Sequence, residues 1–212
     1  MTPETLRHLG SVDETLGALI LRIGACELAP ERRRSPFESL VRAVAHQQLH
    51  GTAAARILER FVALFPGMKF PDAEHLLAVS DDQLRAVGFS RSKIAAIRDI
   101  AAKTAEGVVP ASKVISRLDD EEIIERLTQC RGVGRWTVEM LLIFKLGRPD
   151  VLPVDDFGVR QGYQITYGKR QFPKPKDLLK YGERWRPYRT TAAWYMWRAA
   201  DAAKLEKQTK KP

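Results

Sequence analysis

Leu127-Thr128-Gln129-Cys130-Arg131-Gly132-Val133-Gly134-Arg135-Trp136-Thr137 is the stretch on which the reading of this 212-residue chain turns. Upstream of it, Asp119-Asp120-Glu121-Glu122 is an acidic helix start whose apolar face is Ile123, Ile124 and Leu127. Downstream, Thr137 to Leu146 is an apolar, helical run. Gly132 and Gly134 permit backbone geometry closed to other residues, so the segment is expected to turn tightly and to lead into a helix N-terminus, where backbone N–H groups can meet a phosphate. Taken alone, such a turn is more often a plain connection between core helices.

The same helical punctuation extends in both directions. Between Thr5 and Cys26, Leu6, Leu9, Val12, Leu16, Leu19, Ile20 and Ile23 recur at steps of three and four, which predicts one or two amphipathic helices. After the basic run Arg32-Arg33-Arg34, Ser35-Pro36-Phe37-Glu38 reads as an N-cap, a first-turn proline and an acidic first turn, opening a helix to about Gln48. Another helix is expected from Gly51 or Thr52 to Phe65. Shorter ones should follow Asp72 and Ser80, and a longer one should run from Ser90 or Arg91 to Glu106. A polar connection then leads to Asp119. Beyond the turn and its apolar run, Gly147-Arg148-Pro149-Asp150 reads as a loop. Pro153-Val154-Asp155-Asp156-Phe157-Gly158-Val159-Arg160 reads as a further acidic helix start. The segment from Phe172 to Tyr188 is rich in Pro, Lys and Trp. Thr190 to Lys204 is an apolar helix in which Trp194 belongs to the core, and Lys207 to Pro212 is a basic tail. The chain is therefore expected to be all-α.

Composition bounds the function. The hydrophobic share of 44% and the charged share of 29% are those of a globular domain. Lysine and arginine number 35 against 26 acidic residues, a net charge of +9 that favours a polyanionic partner such as nucleic acid. Two cysteines, Cys26 and Cys130, cannot build a disulfide framework, a four-cysteine zinc site or an iron–sulfur cluster, and they suit the cell interior. His46 and His50 stand four apart but have no nearby acid or cysteine to complete a zinc set. No apolar run reaches the ~18 residues of a membrane span, and the acidic N-terminus is unlike a secretory signal.

With these residues quoted, the run from Leu127 to Arg160 resembles the helix-hairpin-helix (HhH-GPD) superfamily of DNA glycosylases. The resemblance is to the alkylpurine branch of the DNA-3-methyladenine glycosylase II type. Val-Arg-Ala-Val-Ala-His-Gln-Gln-Leu-His-Gly-Thr-Ala-Ala-Ala at 41–55 and the stretch from Trp185 to Trp197 are also similar to family segments, so the likeness covers most of the chain. It implies two helical subdomains flanking an active-site cleft. One spans 37–145 and carries the hairpin; the other is formed by both chain ends, 1–36 and 146–212. With helical pattern beginning within a few residues of Met1, the chain reads as a minimal version lacking the extra N-terminal domain of some larger relatives.

The resemblance also implies roles. Asp156, the second aspartate of the pair, is the catalytic carboxylate, leaving Asp155 as the helix cap. Trp136 and Trp197, with Phe157 and Met140, form the base pocket. Gln48, Leu49 and His50 meet the DNA, with Leu49 as the wedge that fills the space of an extruded base. Gly132, Val133, Gly134 and Thr137 belong to the backbone-binding hairpin, to which Arg131 and Arg135 add charge. Carbonyls of Thr128, Cys130 and Val133 can hold a structural Na⁺ or K⁺; no other cofactor is implied. Family members that also cut the strand carry a nucleophilic lysine where this chain has Trp136, and Lys145 does not match that position. The expectation is thus a monofunctional glycosylase that removes 3-methyladenine, and 7-methylguanine as well, from double-stranded DNA in base excision repair. It is expected to work as a cytoplasmic monomer, nucleoid-associated if the source is bacterial. The competing readings are a non-catalytic helix-hairpin-helix DNA-binding module, a glycosylase for another base lesion and a basic helical RNA-binding protein. The last has no aromatic sheet platform to support it.

Overall fold

The structure, a computed structural model, describes residues 2–49 and 51–209, without the side chain of residue 207. Among the described residues there are thirteen α-helices and no strand, as expected from the helical periodicities. The first seven are α1 (Pro3–Val12), α2 (Glu14–Ile23), α3 (Pro36–His46), α4 (Gly51–Ala63), α5 (Ala73–Ala78), α6 (Asp81–Ala86) and α7 (Arg91–Ala105). The rest are α8 (Ser112–Ile115), α9 (Asp120–Leu127), α10 (Arg135–Leu141), α11 (Phe157–Thr166), α12 (Pro175–Gly182) and α13 (Arg189–Thr209). No described helix is long and apolar enough to cross a membrane.

Most helix starts are written in the caps. Ser35, Asp72, Ser80, Ser90 and Asp119 each accept the backbone N–H three residues on. Each thereby satisfies a donor that the first turn leaves without an intrahelical partner. Four features depart from expectation. The polar connection before Asp119 contains the short helix α8, and the Pro- and Lys-rich segment contains α12, started by Pro175 in its first turn. The helix expected over Thr137–Leu146 is α-helical only to Leu141, and Leu142–Leu146 winds as a π-helical turn. Finally, α13 runs on to Thr209, into the expected tail; residues 210–212 of that tail lie outside the described residues.

The chain divides into two compact units, one made of residues 31–141 and the other of residues 1–30 with 142–212. Sequence alone predicts these divisions at 36/37 and 145/146. In the 31–141 unit, α7 packs against α3 and α5, and α10 against α3 and α9. Phe61, fully buried, meets Phe65, Phe70 and Phe89 edge-on, a geometry aromatic rings prefer.

In the other unit, α11 packs along α13, and α1, α2 and the segment around Trp185 complete the core. The α11–α13 approach depends on Gly162, where a Cβ would lie 1.8 Å from the carbonyl oxygen of Met196. This core also holds a polar hub that sequence did not announce. Asp13 is buried; its Oδ1 accepts the Leu16 N–H, capping α2. Its Oδ2 accepts from Tyr167 Oη (2.7 Å), Trp185 Nε1 (2.9 Å) and Tyr181 Oη (3.2 Å). A carboxylate buried without such donors would be costly. Burial first, and then the Asp13 carboxylate, push the Tyr167 hydroxyl well above the ordinary tyrosine range, so it remains a donor.

Candidate active site

Asp156 sits at the start of α11 and is itself the N-cap, with extended backbone and Oδ1 accepting the Val159 N–H at 2.8 Å. This corrects the expectation that Asp155 is the cap: Asp155 is exposed in the preceding turn, and only the residue directly before the helix can reach the Val159 amide. The same Oδ1 accepts the indole N–H of Trp197 at 2.7 Å. Trp197 is in turn stacked on Phe144 (centroids 5.6 Å apart, planes at 28°). Gly158 leaves the room the indole occupies, since a Cβ there would lie 2.8 Å from Trp197 Cδ1. One carboxylate is thus oriented by a helix N-terminus and by a ring from another helix. Phe157, the next residue, is 66% exposed and lies against Phe172.

The loop before Asp156 is fastened to the start of α13, the helix that carries Trp197. Thr190 Oγ1 donates to the Arg148 carbonyl (2.7 Å) and accepts the Val151 N–H (2.9 Å), while the Thr190 N–H donates to the Pro149 carbonyl. Arg189 makes a two-pronged ion pair with Asp150, which also accepts from Arg186 at 2.6 Å. Two-pronged guanidinium–carboxylate pairing fixes direction as well as distance.

The hairpin joins α9 to α10. Thr128 is the C-cap of α9, and Gly132 has φ +76°, the left-handed region that glycine enters without strain. Gly134 has no such φ, and a Cβ there would meet nothing within 4 Å, so nothing inside the protein requires glycine at that position. The Arg131 N–H donates to Asp99 Oδ2 (2.7 Å), and the Val133 N–H to the Cys130 carbonyl (3.0 Å). Burial raises Asp99, but the Arg131 amide and the Lys103 ammonium outweigh it and hold this carboxyl below its ordinary value. Arg135 is committed to carboxylates, donating to both oxygens of Glu121 (2.5 and 3.0 Å) and to Glu139 (3.2 Å). Its charge braces the hairpin's two helices, a use that sequence did not suggest. Cys130 and Val133 are buried, and burial pushes the Cys130 thiol up to about 11.

Behind α3 the chain makes the turn expected to carry the wedge. Gln48 has φ +56°, rare for a residue with a side chain and costly. Leu49 is 41% exposed. A pocket of 450 Å³ is lined by Ala43, His46, Gln47, Gln48, Trp136, Thr137 and Met140, within the range of small-molecule sites. Trp136, 45% exposed, is its aromatic wall. His46 Nδ1–H donates to the Arg42 carbonyl at 2.9 Å. His50 lies outside the described residues. Among the described residues no cluster of three or more His, Cys, Asp or Glu is disposed to hold a metal ion.

The structure therefore groups Trp136, Met140, Thr137 and Gln48 around one pocket, and Asp156, Phe157 and Trp197 at one helix start. Lys145 is buried in the π-helical turn. Sequence reading overlooked Phe144, Gly158 and Asp99, and placed Gln47 in the Leu49 turn without a role of its own. Only Gly158 carried a signal, since a glycine in a helix costs about 0.5–1 kcal/mol and needs a packing reason.

Comparison with known proteins places this geometry. Residues 41–187 match the family model described as HhH-GPD superfamily base excision DNA repair protein. The chain is 42% identical over 203 residues to "DNA-3-methyladenine glycosylase 1" of Schizosaccharomyces pombe, covering 94% of this chain and 88% of that protein. It superposes with TM-score 0.81 on the S. pombe 3-methyladenine DNA glycosylase solved in complex with abasic DNA (42% identity, 92% of this chain, 95% of that one). With DNA-3-methyladenine glycosidase from Bacillus halodurans the TM-score is 0.86 at 34% identity, covering 97% of this chain and 92% of that one. Because the matched span contains the 46–49 turn, the hairpin and the Asp156 helix start, and exceeds half the chain, this protein belongs to the HhH-GPD superfamily of base excision DNA repair proteins.

Proposed function

We propose that the protein is a DNA-3-methyladenine glycosylase. It extrudes alkylated purines, 3-methyladenine and 7-methylguanine, from double-stranded DNA and hydrolyses their N-glycosidic bonds. The observation that carries this reading is the Asp156 carboxylate, held by the Val159 amide and the Trp197 indole, in a chain so similar to proteins of that name. As the bond from C1′ to the base nitrogen breaks, its electron pair leaves with the purine and positive charge grows on the sugar. A fixed carboxylate stabilises that charge and orients the water whose oxygen then bonds to C1′. Alkylation has already made the base cationic, so it is a good leaving group and is drawn to an electron-rich ring. Trp136 and Met140 line the 450 Å³ pocket that suits its face; Trp197 and Phe157, also assigned to the base, stand beside Asp156 in the other unit.

The DNA backbone is gripped by the hairpin around Gly132, Val133, Gly134 and Thr137. The empty surroundings of Gly134 suit a phosphate that approaches the main chain from outside. Arg131 adds long-range attraction; Arg135, tied to Glu121 and Glu139, contributes by stiffening. Gln48, Leu49 and His50 meet the duplex where the base has left. A Na⁺ or K⁺ ion is assigned to the carbonyls of Thr128, Cys130 and Val133: Thr128 ends α9, where backbone oxygens are partially negative, and the protonated Cys130 thiol adds no soft ligand. Such an ion would supply positive charge beside a phosphate. With Trp136 where a lyase carries its amine, the product is an abasic site in an uncut strand. All the residues needed lie on one chain, which supports a monomeric enzyme.

The test is to incubate wild type and Asp156→Asn with methylated duplex DNA, measuring free bases and strand breaks before and after alkali. The wild type should release methylpurines and give only alkali-dependent breaks. Asp156→Asn, whose side chain still caps α11, should stay folded, bind abasic DNA and lose release by about 10²–10³-fold or more. Undiminished release by Asp156→Asn would end the assignment of that carboxylate, and breaks without alkali would end the monofunctional reading.

A further inference from the structure

The turn at 46–49 and the hairpin at 128–134 are distant in sequence and are held as one piece. Gln47 Nε2 donates to the Gly132 carbonyl at 2.9 Å, a direct link between them. Both are also pinned to one helix, α7. Lys93 Nζ donates to the Ala45 carbonyl at 2.8 Å, at the end of the helix that leads into the 46–49 turn. Asp99 accepts the Arg131 N–H at 2.7 Å, and Ala96 Cβ stands 3.2 Å from where a Gly132 Cβ would be. Lys93, Ala96 and Asp99 recur at steps of three, so a single face of α7 serves both turns. The 46–49 turn needs such support. Gln48 is kept in a left-handed conformation with no glycine to relieve it, and the following Leu49 is an exposed apolar side chain.

A side chain that enters a base stack is pushed back by the cost of unstacking, so it acts as a wedge only if its backbone cannot recoil. A turn tied solely to its own helix would retract. We propose that Gln47 is a positioning residue that couples the Leu49 turn to the hairpin, setting the depth of the wedge against the backbone grip. This rests on the excision reading above and adds to it a mechanical link: the hairpin's hold on phosphate is what keeps the wedge in the duplex.

The experiment uses the full chain as wild type, Gln47→Leu and Leu49→Ala. The probe is a duplex carrying a tetrahydrofuran abasic analogue flanked by 2-aminopurine, whose fluorescence at saturation reports disturbance of the stack by an inserted side chain. Dissociation constants come from the same titrations, and base release from methylated duplex is measured in parallel. Gln47→Leu should lose more than half of the fluorescence change, as Leu49→Ala also should, and slow base release about fivefold to tenfold, the worth of one hydrogen bond. Its dissociation constant should stay within about twofold, since the hairpin amides are untouched. A Gln47→Leu protein with the full fluorescence change and full release overturns the coupling. So does one in which affinity, fluorescence and melting temperature fall together, because that is the signature of general loosening. No fluorescence change with the wild type overturns it too. A wild type that gives the fluorescence change without releasing any base leaves the coupling standing and overturns the excision reading instead.

Discussion

Two turns in this protein lead into helices and carry the residues to which the proposed chemistry is assigned, and they are built in different ways. At the turn before α11 the carboxylate is oriented by the helix that Asp156 itself caps and by the Trp197 indole, while the loop leading to it is fastened to the start of α13 by Thr190 and Arg189. The hairpin before α10 is held mostly from outside, by Asp99 and Ala96 of α7, by Gln47 and by the pairing of Arg135 with Glu121 on α9. The difference teaches what each must do. A carboxylate proposed to stabilise charge in a transition state must keep one orientation, to which the cap and the indole donor contribute. A backbone that meets a long polyanion must instead keep its shape under load, which calls for struts spread over several helices.

The largest effect is expected at the carboxylate. Trp197→Phe keeps a ring to stack on Phe144 but removes the donor to Asp156, so kcat for methylpurine release should fall by about 10–100-fold, the worth of a hydrogen bond to a charged group. KM should change little. Equal losses in kcat and affinity would break the contrast, making Trp197 part of the grip. Gly158→Ala should act through the same contact from the other side. Its Cβ would crowd the indole at 2.8 Å and destabilise the fold by about 1–3 kcal/mol, read from urea unfolding.

A smaller effect should appear at the hairpin, because its struts are several. Asp99→Asn should weaken binding to abasic DNA by a few-fold and leave single-turnover release at saturation near wild type. The brace should also depend on acid. Since the Asp99 carboxyl is held below its ordinary value of 3.8, its contribution is present above that value and lost as pH falls through the depressed one. Hydrogen exchange of the Arg131 amide should accelerate there relative to other protected amides. The smallest effect concerns Cys130. With its thiol pushed up to about 11, it should react with iodoacetamide at pH 8 far more slowly than in urea-unfolded protein. The stability gained by keeping the thiol neutral is complete below 9.0 and should fade as pH rises towards 11.

Much of this fold is legible in one dimension because it is made of short-range events. Ser35-Pro36, Asp72, Ser80, Ser90 and Asp119 announce their helices since a cap is satisfied three residues away, and apolar residues at steps of three and four declare the all-α class. The glycine turn and the Asp155-Asp156 pair could be found for the same reason. Sequence could not rank the two aspartates as caps, because either has the chemistry and only the backbone path decides which one precedes the first turn. Helices α8 and α12 were hidden, being too short or too polar to show a period.

What sequence determined by itself, then, is where helices begin and which residue types stand at the turns, because hydrogen bonds of capping and the helical repeat span only a few residues. What tertiary structure alone decided is which of those residues are held, and by what. The indole on Asp156, the three side-chain hydrogen bonds to buried Asp13, the Asp99 brace and the Gln47 link join residues tens to more than a hundred positions apart. No local preference encodes such pairs; they exist because packing apolar faces removes water and leaves each buried polar group to find its partner within the protein.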